Sequence, residues 1–199
     1  MIRVPLTDTV LTTHLQGLTP DGMSIFLLNN GAMRGAFFHG TRFVNQLRAQ
    51  HDLGILETLV LGQAALCGAL LIPTMKGRDR AVFRYDTRGP AAGFSIEANS
   101  EGWVRGFLLQ DPIPIEKPLD SWDLSPFFGP GTVTMTRFPE GFAEPVTGTI
   151  QIKGDITVLD FDRAGHRLGE IKHRNIALDL AEYFGVSEQT PTAFNTGIQ

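Results

Sequence analysis

The chain has 199 residues, of which 42% are apolar and 19% charged; its net charge is −4, and it has one cysteine. A chain this apolar and this weakly charged is not disordered, and without a basic excess it does not resemble a nucleic-acid-binding protein. One cysteine excludes an internal disulfide and a zinc site built from several thiolates of this chain. The first ten residues lack the apolar core of a secretory signal. We therefore expect one globular domain over residues 1–199, located in the cytoplasm.

The first 40 residues are predicted to form β-strands. β-Branched residues favour a strand over Thr9–Leu15. Two apolar runs, Met23–Leu28 and Met33–Phe38, flank the turn-forming sequence Asn29-Asn30-Gly31. This arrangement predicts a β-hairpin.

Two helices are predicted to follow the hairpin. Apolar residues at helical spacing predict a helix over Arg42–Gln50, with Thr41 as its cap. The next segment, Leu53–Ile72, has 20 residues of which only Glu57 is charged, and Asp52 precedes it as a candidate cap. Its length admits a membrane span, but its glycines, its charge and the proline after it favour a buried core helix.

Apolar residues alternate after residue 73, which predicts an antiparallel meander and further strands. The predicted strands are Arg80–Asp86, Ala92–Asn99, Trp103–Leu109, Thr132–Phe138, Val146–Ile152, Ile156–Phe161 and Arg167–Lys172. A last helix over Ile176–Phe184 is predicted to begin at the cap Asn175 and to end at a left-handed Gly185. This order predicts an α+β fold with antiparallel sheets packed around the long apolar helix.

Residues that could carry out chemistry are scattered along the chain. The five histidines form none of the HxH, HxxxH or HExxH patterns that bind metals, and no GxSxG nucleophile motif occurs. Asp120 and Asp123 are a candidate carboxylate pair, although their neighbours favour a capped loop. Cys67 lies in the most apolar segment, where burial makes a thiol inert. We expect no catalytic residue and no metal ligand, unless two histidines and one of these aspartates share a cleft.

Four segments carry the most specific information in the sequence. Residues 79–112 contain Gly89-Pro90 and Arg105-Gly106-Phe107, residues 129–136 read GPGTVTMT, and residues 144–150 read EPVTGTI. The segment Ile176–Thr192, IALDLAEYFGVSEQTPT, is the most specific of the four. In this order they resemble the core domain of the 33 kDa chaperonin family, the redox-regulated heat-shock holdases of the bacterial cytoplasm.

The resemblance implies an α+β core that captures unfolding proteins without ATP, on exposed apolar surface. Exposed apolar side chains bind the apolar segments that unfolded chains expose. As candidates for this surface we select Phe94, Ile96, Phe107, Phe127 and Phe128. The expected partners are unfolding client proteins, with no nucleic acid and no membrane.

The sequence departs from the family pattern in two ways. The family has a C-terminal module in which four cysteines bind zinc and respond to oxidation, whereas Cys67 matches none of them. Zinc is therefore expected only if a four-cysteine module exists elsewhere in the full gene product. Residues 153–173 predict an added hairpin. Strands missing from the family sheet would leave an edge open, which predicts a homodimer or a domain-swapped assembly.

The sequence leaves one alternative open. A small hydrophobic ligand or a lipid could occupy a pocket beside the apolar helix. This alternative predicts an enclosed apolar cavity of roughly a few hundred cubic ångströms.

Overall fold

A computed structural model describes residues 5–119, 121–152, 157–161, 167–172 and 175–198; between 157 and 172 it describes the backbone only. The helices are α1 (Thr9–Gly17), α2 (Thr41–His51), α3 (Ile55–Leu71) and α4 (Ile176–Val186). The strands are β1 (Gly22–Leu28), β2 (Met33–His39), β3 (Arg80–Thr87), β4 (Gly93–Asn99), β5 (Val104–Leu108), β6 (Gly131–Phe138), β7 (Val146–Ile152), β8 (Thr157–Phe161) and β9 (Arg167–Lys172). Antiparallel sheets packed against buried helices confirm the predicted α+β class.

The first described element, α1, is a helix, so the prediction of a strand over Thr9–Leu15 is wrong. The Asp8 carboxylate accepts hydrogen bonds from the backbone N–H groups of Val10 and Leu11, at 2.9 and 3.0 Å. Such a cap satisfies N–H groups that no carbonyl inside the helix can reach. The cap therefore outweighs the weak strand preference of the β-branched residues.

Strands β1 and β2 form the predicted hairpin. Asn29 and Asn30 turn the chain with φ angles of 49° and 54°, a left-handed conformation that asparagine tolerates better than most residues. The pairing places Phe26 opposite Gly35 and Leu28 opposite Met33. Among the described residues no third strand pairs with this hairpin, so both of its edges are open.

Helices α2 and α3 occupy the predicted segments, but their predicted caps are wrong. Instead of Thr41, Asp21 caps α2, because its carboxylate accepts hydrogen bonds from the N–H groups of Arg42 and Phe43 at 2.9 and 2.6 Å. Asp52 ends α2 in a left-handed conformation, with a φ of 54°, and does not begin α3. Chain folding brought a carboxylate from the base of the hairpin to the α2 terminus, a contact that local sequence does not encode.

Helix α3 is a core helix, as predicted. With the turn that extends it, Ile55–Thr74, it is long and apolar enough to cross a membrane, but 72% of its most apolar window is buried inside the protein. Its Gly68 lies directly over Ile96, since a Cβ atom at this glycine would come within 2.5 Å of Ile96 Cγ2. A larger residue would push the helix off the sheet, so glycine permits their close approach.

The largest sheet has five antiparallel strands in the order β5-β4-β3-β6-β7. The predicted alternation holds in β3, where Phe83 and Tyr85 are buried while Arg84 and Asp86 are exposed. Helix α3 contacts β4 and β5, and α4 contacts β6 and β7. We call the helix-covered side of this sheet its inner face and the opposite side its outer face.

Strands β8 and β9 pair only with each other in the described part of the chain. They lie within the predicted added hairpin, whose turn is outside the described residues. Helix α4 begins at its predicted cap, because the Asn175 side chain accepts a hydrogen bond from Ala177 N–H at 2.8 Å. The predicted left-handed end at Gly185 is wrong: Ser187 N–H bonds to Tyr183 O at 2.8 Å and carries the helical pattern past the glycine.

Candidate functional site

The five residues predicted to form a client-binding surface do not lie together at the surface. Phe94, Ile96 and Phe128 are 0%, 1% and 1% exposed, so their prediction as surface residues is wrong for the folded chain. Phe127 is partly buried against the core, and Phe107 on β5 is 52% exposed. The alternating apolar positions of β4 belong to the inner face, which α3 covers.

The three buried candidates instead take part in core packing. The Phe94 ring stacks on the Tyr85 ring with centroids 5.2 Å apart, and Phe128 meets the same tyrosine edge-on at 5.2 Å. The Tyr85 hydroxyl donates a hydrogen bond to the buried carboxylate of Asp179 in α4. This aromatic cluster therefore holds α4 on the inner face.

A group of exposed apolar side chains lies on the β1–β2 hairpin. We call it the hairpin surface: Ile25, Phe26, Leu27, Leu28, Met33 and Phe37, each between 42% and 63% exposed. Side chains alternate between the two faces of a strand, so Ile25 and Leu27 lie on one face and Phe26 and Leu28 on the other. Both faces of the hairpin therefore present apolar groups to solvent.

The base of the hairpin is fixed to the helices. Phe38 of β2 contacts Phe43 of α2, with ring centroids 5.8 Å apart. Asp21, which directly precedes β1, caps the same helix. The Arg42 guanidinium donates a hydrogen bond to Leu18 O at 2.9 Å. These contacts hold the hairpin in place while its apolar side chains remain exposed.

None of the five residues predicted from the sequence belongs to the hairpin surface, although the sequence contains a signal for it. Four consecutive apolar residues, Ile25–Leu28, occur in a strand of a predicted two-stranded hairpin. A strand buried on one face alternates apolar and polar residues, whereas a continuous apolar run is buried only if other elements cover both faces of the strand. No element was predicted to cover the second face of the hairpin, so the run indicated that some of its apolar side chains are exposed.

An open apolar cleft of about 500 Å³ lies at the N-terminal end of α3. Its lining includes Ile55, Leu56, Glu57, Ile113, Leu119 and Trp122. Glu57 is buried, and its Oε1 accepts a hydrogen bond from Ile113 N–H at 2.8 Å, which ties the lining loop to the helix. Trp122 is 75% exposed. The cleft opens to solvent, whereas the ligand-binding alternative predicted an enclosed cavity.

Charged side chains cover the outer face near β5. The Glu97 carboxylate accepts hydrogen bonds from two guanidinium groups, of Arg105 at 2.6 Å and of Arg80 at 3.1 Å. Burial acts to raise the pKa of Glu97, but the hydrogen bonds and charges of the two arginines outweigh it and hold the pKa below its usual value. Glu97 therefore stays ionised at neutral pH, and its one negative charge faces the two positive charges of Arg105 and Arg80.

The residues of this chain do not fit the four-thiolate zinc site that the resemblance implies. Cys67 is the only cysteine; burial raises the pKa of its thiol to about 12, although the Thr196 hydroxyl lowers it in part. Among the described residues, no group of three or more His, Cys, Asp or Glu could hold a metal ion. Asp120, His166 and His173 lie outside the described residues.

Comparisons with known proteins agree with the resemblance seen in the sequence. The profile of the family described as Hsp33 protein matches residues 21–160. The chain is 31% identical over 174 residues to the 33 kDa chaperonin of Prochlorococcus marinus strain AS9601, covering 84% of this chain and 51% of that protein. It is 30% identical over 173 residues to the 33 kDa chaperonin of Thermotoga petrophila, covering 81% and 52%.

A solved structure shows the same fold. The crystal structure of the 33 kDa chaperonin (heat shock protein 33 homolog) of Thermotoga maritima matches with a TM-score of 0.71 and 27% identity, over 89% of this chain and 55% of that chain. The chain spans about half the length of the curated relatives it matches. Because the profile match covers most of the chain, the chain belongs to the Hsp33 family, a family of heat-shock chaperones and not of enzymes.

Proposed function

We propose that this chain is the client-binding core of an ATP-independent holdase, and that it captures unfolding proteins on the hairpin surface. The observation that carries the proposal is the exposure of six apolar side chains on an anchored hairpin. Removing apolar surface from water is worth about 25 cal/mol per Å². An unfolding protein exposes apolar segments of the same kind, so contact with the hairpin lowers the free energy of both.

Binding of this kind needs no nucleotide and no single client sequence. The apolar contact is non-directional, and the open edges of the hairpin offer backbone hydrogen bonds to any extended segment. The two contributions together favour unfolded chains over folded ones, because folded proteins bury both their apolar side chains and their backbone polar groups.

The test is suppression of light scattering from a thermally unfolding client, without ATP and at near-stoichiometric ratio. The variant Ile25→Ser, Leu27→Ser, Phe37→Ser should lose most of the suppression. The matched control is Phe142→Ser with Val186→Ser, which also removes exposed apolar side chains, but away from the hairpin. Full suppression by the hairpin variant, or none by the unchanged chain, would contradict the proposal.

We infer that the same hairpin supports assembly into a homodimer or a strand-exchanged oligomer. Its two open edges and apolar faces are features that favour pairing with a second copy. Light scattering at micromolar concentration should give a mass above that of one chain, and the hairpin variant should shift the mass toward the monomer. A monomeric mass at every concentration would rule out this assembly.

The redox regulation of the family cannot come from the cysteine of this chain alone. The Cys67 thiol stays protonated at neutral pH, because its pKa is near 12, and it is buried. We therefore expect hydrogen peroxide and zinc chelators to leave the activity of this chain unchanged. A peroxide-induced gain in activity would show a switch other than the four-cysteine module.

The cleft beside α3 is open and not the enclosed cavity predicted above, but its apolar lining favours a second candidate function, the binding of a small hydrophobic ligand at the surface. Its lining is mainly apolar, and Trp122 at its rim provides a fluorescence signal. Decanoate should change the tryptophan emission of the chain, and Leu119→Arg should abolish the change while Phe142→Arg leaves it intact. Equal responses from both variants would exclude the cleft as the binding site.

A further inference from the structure

Strand β5 is an open edge of the five-stranded sheet. Its backbone pairs with β4 through alternate residues, as shown by hydrogen bonds from Asn99 N–H to Trp103 O at 3.0 Å and from Leu109 N–H to Gly93 O at 2.9 Å. In an antiparallel pair, the residues that alternate with the hydrogen-bonded ones direct their N–H and C=O groups away from the partner strand, here away from β4. Within the described residues no strand pairs with that side of β5. Val104, Gly106 and Leu108 therefore offer their backbone groups to an additional strand.

The outer-face side chains of this edge form a distinct row. Trp103, Arg105 and Phe107 occupy alternate positions, and alternate positions share one face of a strand. Trp103 and Phe107 are 40% and 52% exposed, and the Arg105 side chain is 60% exposed. The edge thus presents an aromatic ring, a guanidinium group and a second aromatic ring in succession.

The centre of this row carries a positive charge. Arg105 lies opposite Glu97 of β4, and Arg80 of β3 binds the same carboxylate. One carboxylate cannot neutralise two guanidinium groups, so the site keeps an excess of one positive charge, although the whole chain carries −4. An acidic side chain placed beside Arg105 would restore the balance.

We propose that β5 binds an extended segment of a client as a sixth strand, and that it selects segments with an acidic residue between two apolar residues at alternate positions. The proposal rests on the holdase function and names the client segment that this edge prefers. The backbone groups of the segment would bond to Val104, Gly106 and Leu108. Its acidic side chain would lie opposite Arg105, and its two apolar side chains would lie opposite Trp103 and Phe107.

The opposite edge of the sheet provides an internal control. The outer-face residues of β7 include Thr147, Thr149 and Gln151, which are exposed and uncharged. An extended segment could form backbone hydrogen bonds there as well, but these three described side chains do not distinguish an acidic from a basic residue. Charge selection is therefore specific to β5.

Three synthetic peptides test the proposal with the unchanged chain. The first has Phe-Thr-Glu-Thr-Phe at its centre, the second replaces Glu by Lys, and the third is the first with its edge-facing amides N-methylated. The Glu peptide should bind about tenfold more tightly than the Lys peptide, because opposite and like charges across a strand pair have effects of opposite sign. N-methylation should abolish binding, and the amide NMR signals of Val104, Gly106 and Leu108 should shift with the Glu peptide but not with its N-methylated form.

Variants separate the charge effect from folding. Arg105→Glu should reverse the peptide preference and Arg105→Gln should remove it, while Phe107→Thr should weaken the Glu peptide by about two- to fivefold. Thr149→Glu on β7 is the matched control and should leave the preference unchanged. Arg105→Gln brings no like charge beside Glu97, so it keeps the test valid if Arg105→Glu unfolds, which circular dichroism would reveal.

The outcomes distinguish this proposal from the holdase function itself. Equal binding of the Glu and Lys peptides, or unchanged β5 amide signals, overturns the edge proposal even if the chain suppresses aggregation. If the chain prefers the Glu peptide but does not suppress aggregation, the result supports peptide binding at the β5 edge and refutes the holdase function. Both results together support a client-binding edge beside the hairpin surface.

Discussion

The β1–β2 hairpin and the five-stranded sheet are both antiparallel and both rich in apolar residues, yet one exposes these residues and the other buries them. In β3, Phe83 and Tyr85 face α3 and α4 and are almost completely buried. In β1, Ile25 and Leu27 are 58% and 63% exposed. Apolar residues form strands in both regions. These residues are buried only where helices cover the sheet. No such layer of helices covers the hairpin in the described part of the chain, and its apolar side chains stay exposed.

Equivalent truncations should have very different effects on the stability of the two regions. Phe94→Ala should lower the free energy of unfolding by about 3–5 kcal/mol, because it leaves a cavity among packed rings. Urea denaturation monitored by circular dichroism would measure the change. A loss of about 0.5 kcal/mol or less, the range of surface substitutions, would mean that Phe94 is no better packed than the hairpin side chains.

Loss of the contact between α4 and the sheet should have the next largest effect. Tyr85→Phe removes a hydrogen bond to the buried Asp179 carboxylate and should cost about 1.5–3 kcal/mol. The control is Tyr183→Phe, which removes a partly buried bond to Glu188 at 3.3 Å and should cost about 1 kcal/mol or less. Equal losses in the two variants, measured by urea denaturation, would contradict a special role for the buried contact.

The core helix should make stability depend on pH in alkaline solution. The pKa of Cys67 is raised to about 12, whereas a thiol in the unfolded chain ionises near about 8.5. Below that pH the stabilisation is complete, and above it the unfolded state loses a proton that the folded state retains. The free energy of unfolding should therefore fall by about 1.4 kcal/mol per pH unit up to pH 12.

Other groups also titrate in this range, so the measurement is the difference between the unchanged chain and Cys67→Ala. Urea denaturation from pH 8 to pH 11 should give profiles that converge as the pH rises. Parallel profiles would mean that the thiol is accessible to water, and α3 would then be less well covered than the structure shows.

The smallest effect on stability is expected in the hairpin. Phe37→Ala removes a side chain that is 61% exposed and should change the free energy of unfolding by about 0.5 kcal/mol or less. Its effect on client binding should be larger than its effect on folding. Measured where the chain is monomeric, a destabilisation comparable to that of Phe94→Ala would show that Phe37 packs against other residues of the same chain.

Local sequence predicted most of the elements in the described part of the chain. The hairpin, α3 and the strands of the large sheet follow from periodicity and turn residues, because these depend on near neighbours. The wrong predictions concern contacts instead: Asp8 made Thr9–Gly17 a helix, and Asp21 reached α2 from the base of the hairpin. Neither cap stands out in the sequence, since aspartate is equally common in turns.

The candidate site was predicted least well, and the reason is physical. Alternation in β4 shows that Phe94 and Ile96 share a face, but it does not show whether that face meets a helix or water. The sequence by itself determined the family, the fold class and the lack of a four-thiolate zinc site in this chain. Only the tertiary structure decided which apolar faces are covered, because burial depends on residues that are distant along the chain. The fold buries the β4 face under α3 and, among the described residues, leaves the hairpin surface and the edge of β5 uncovered.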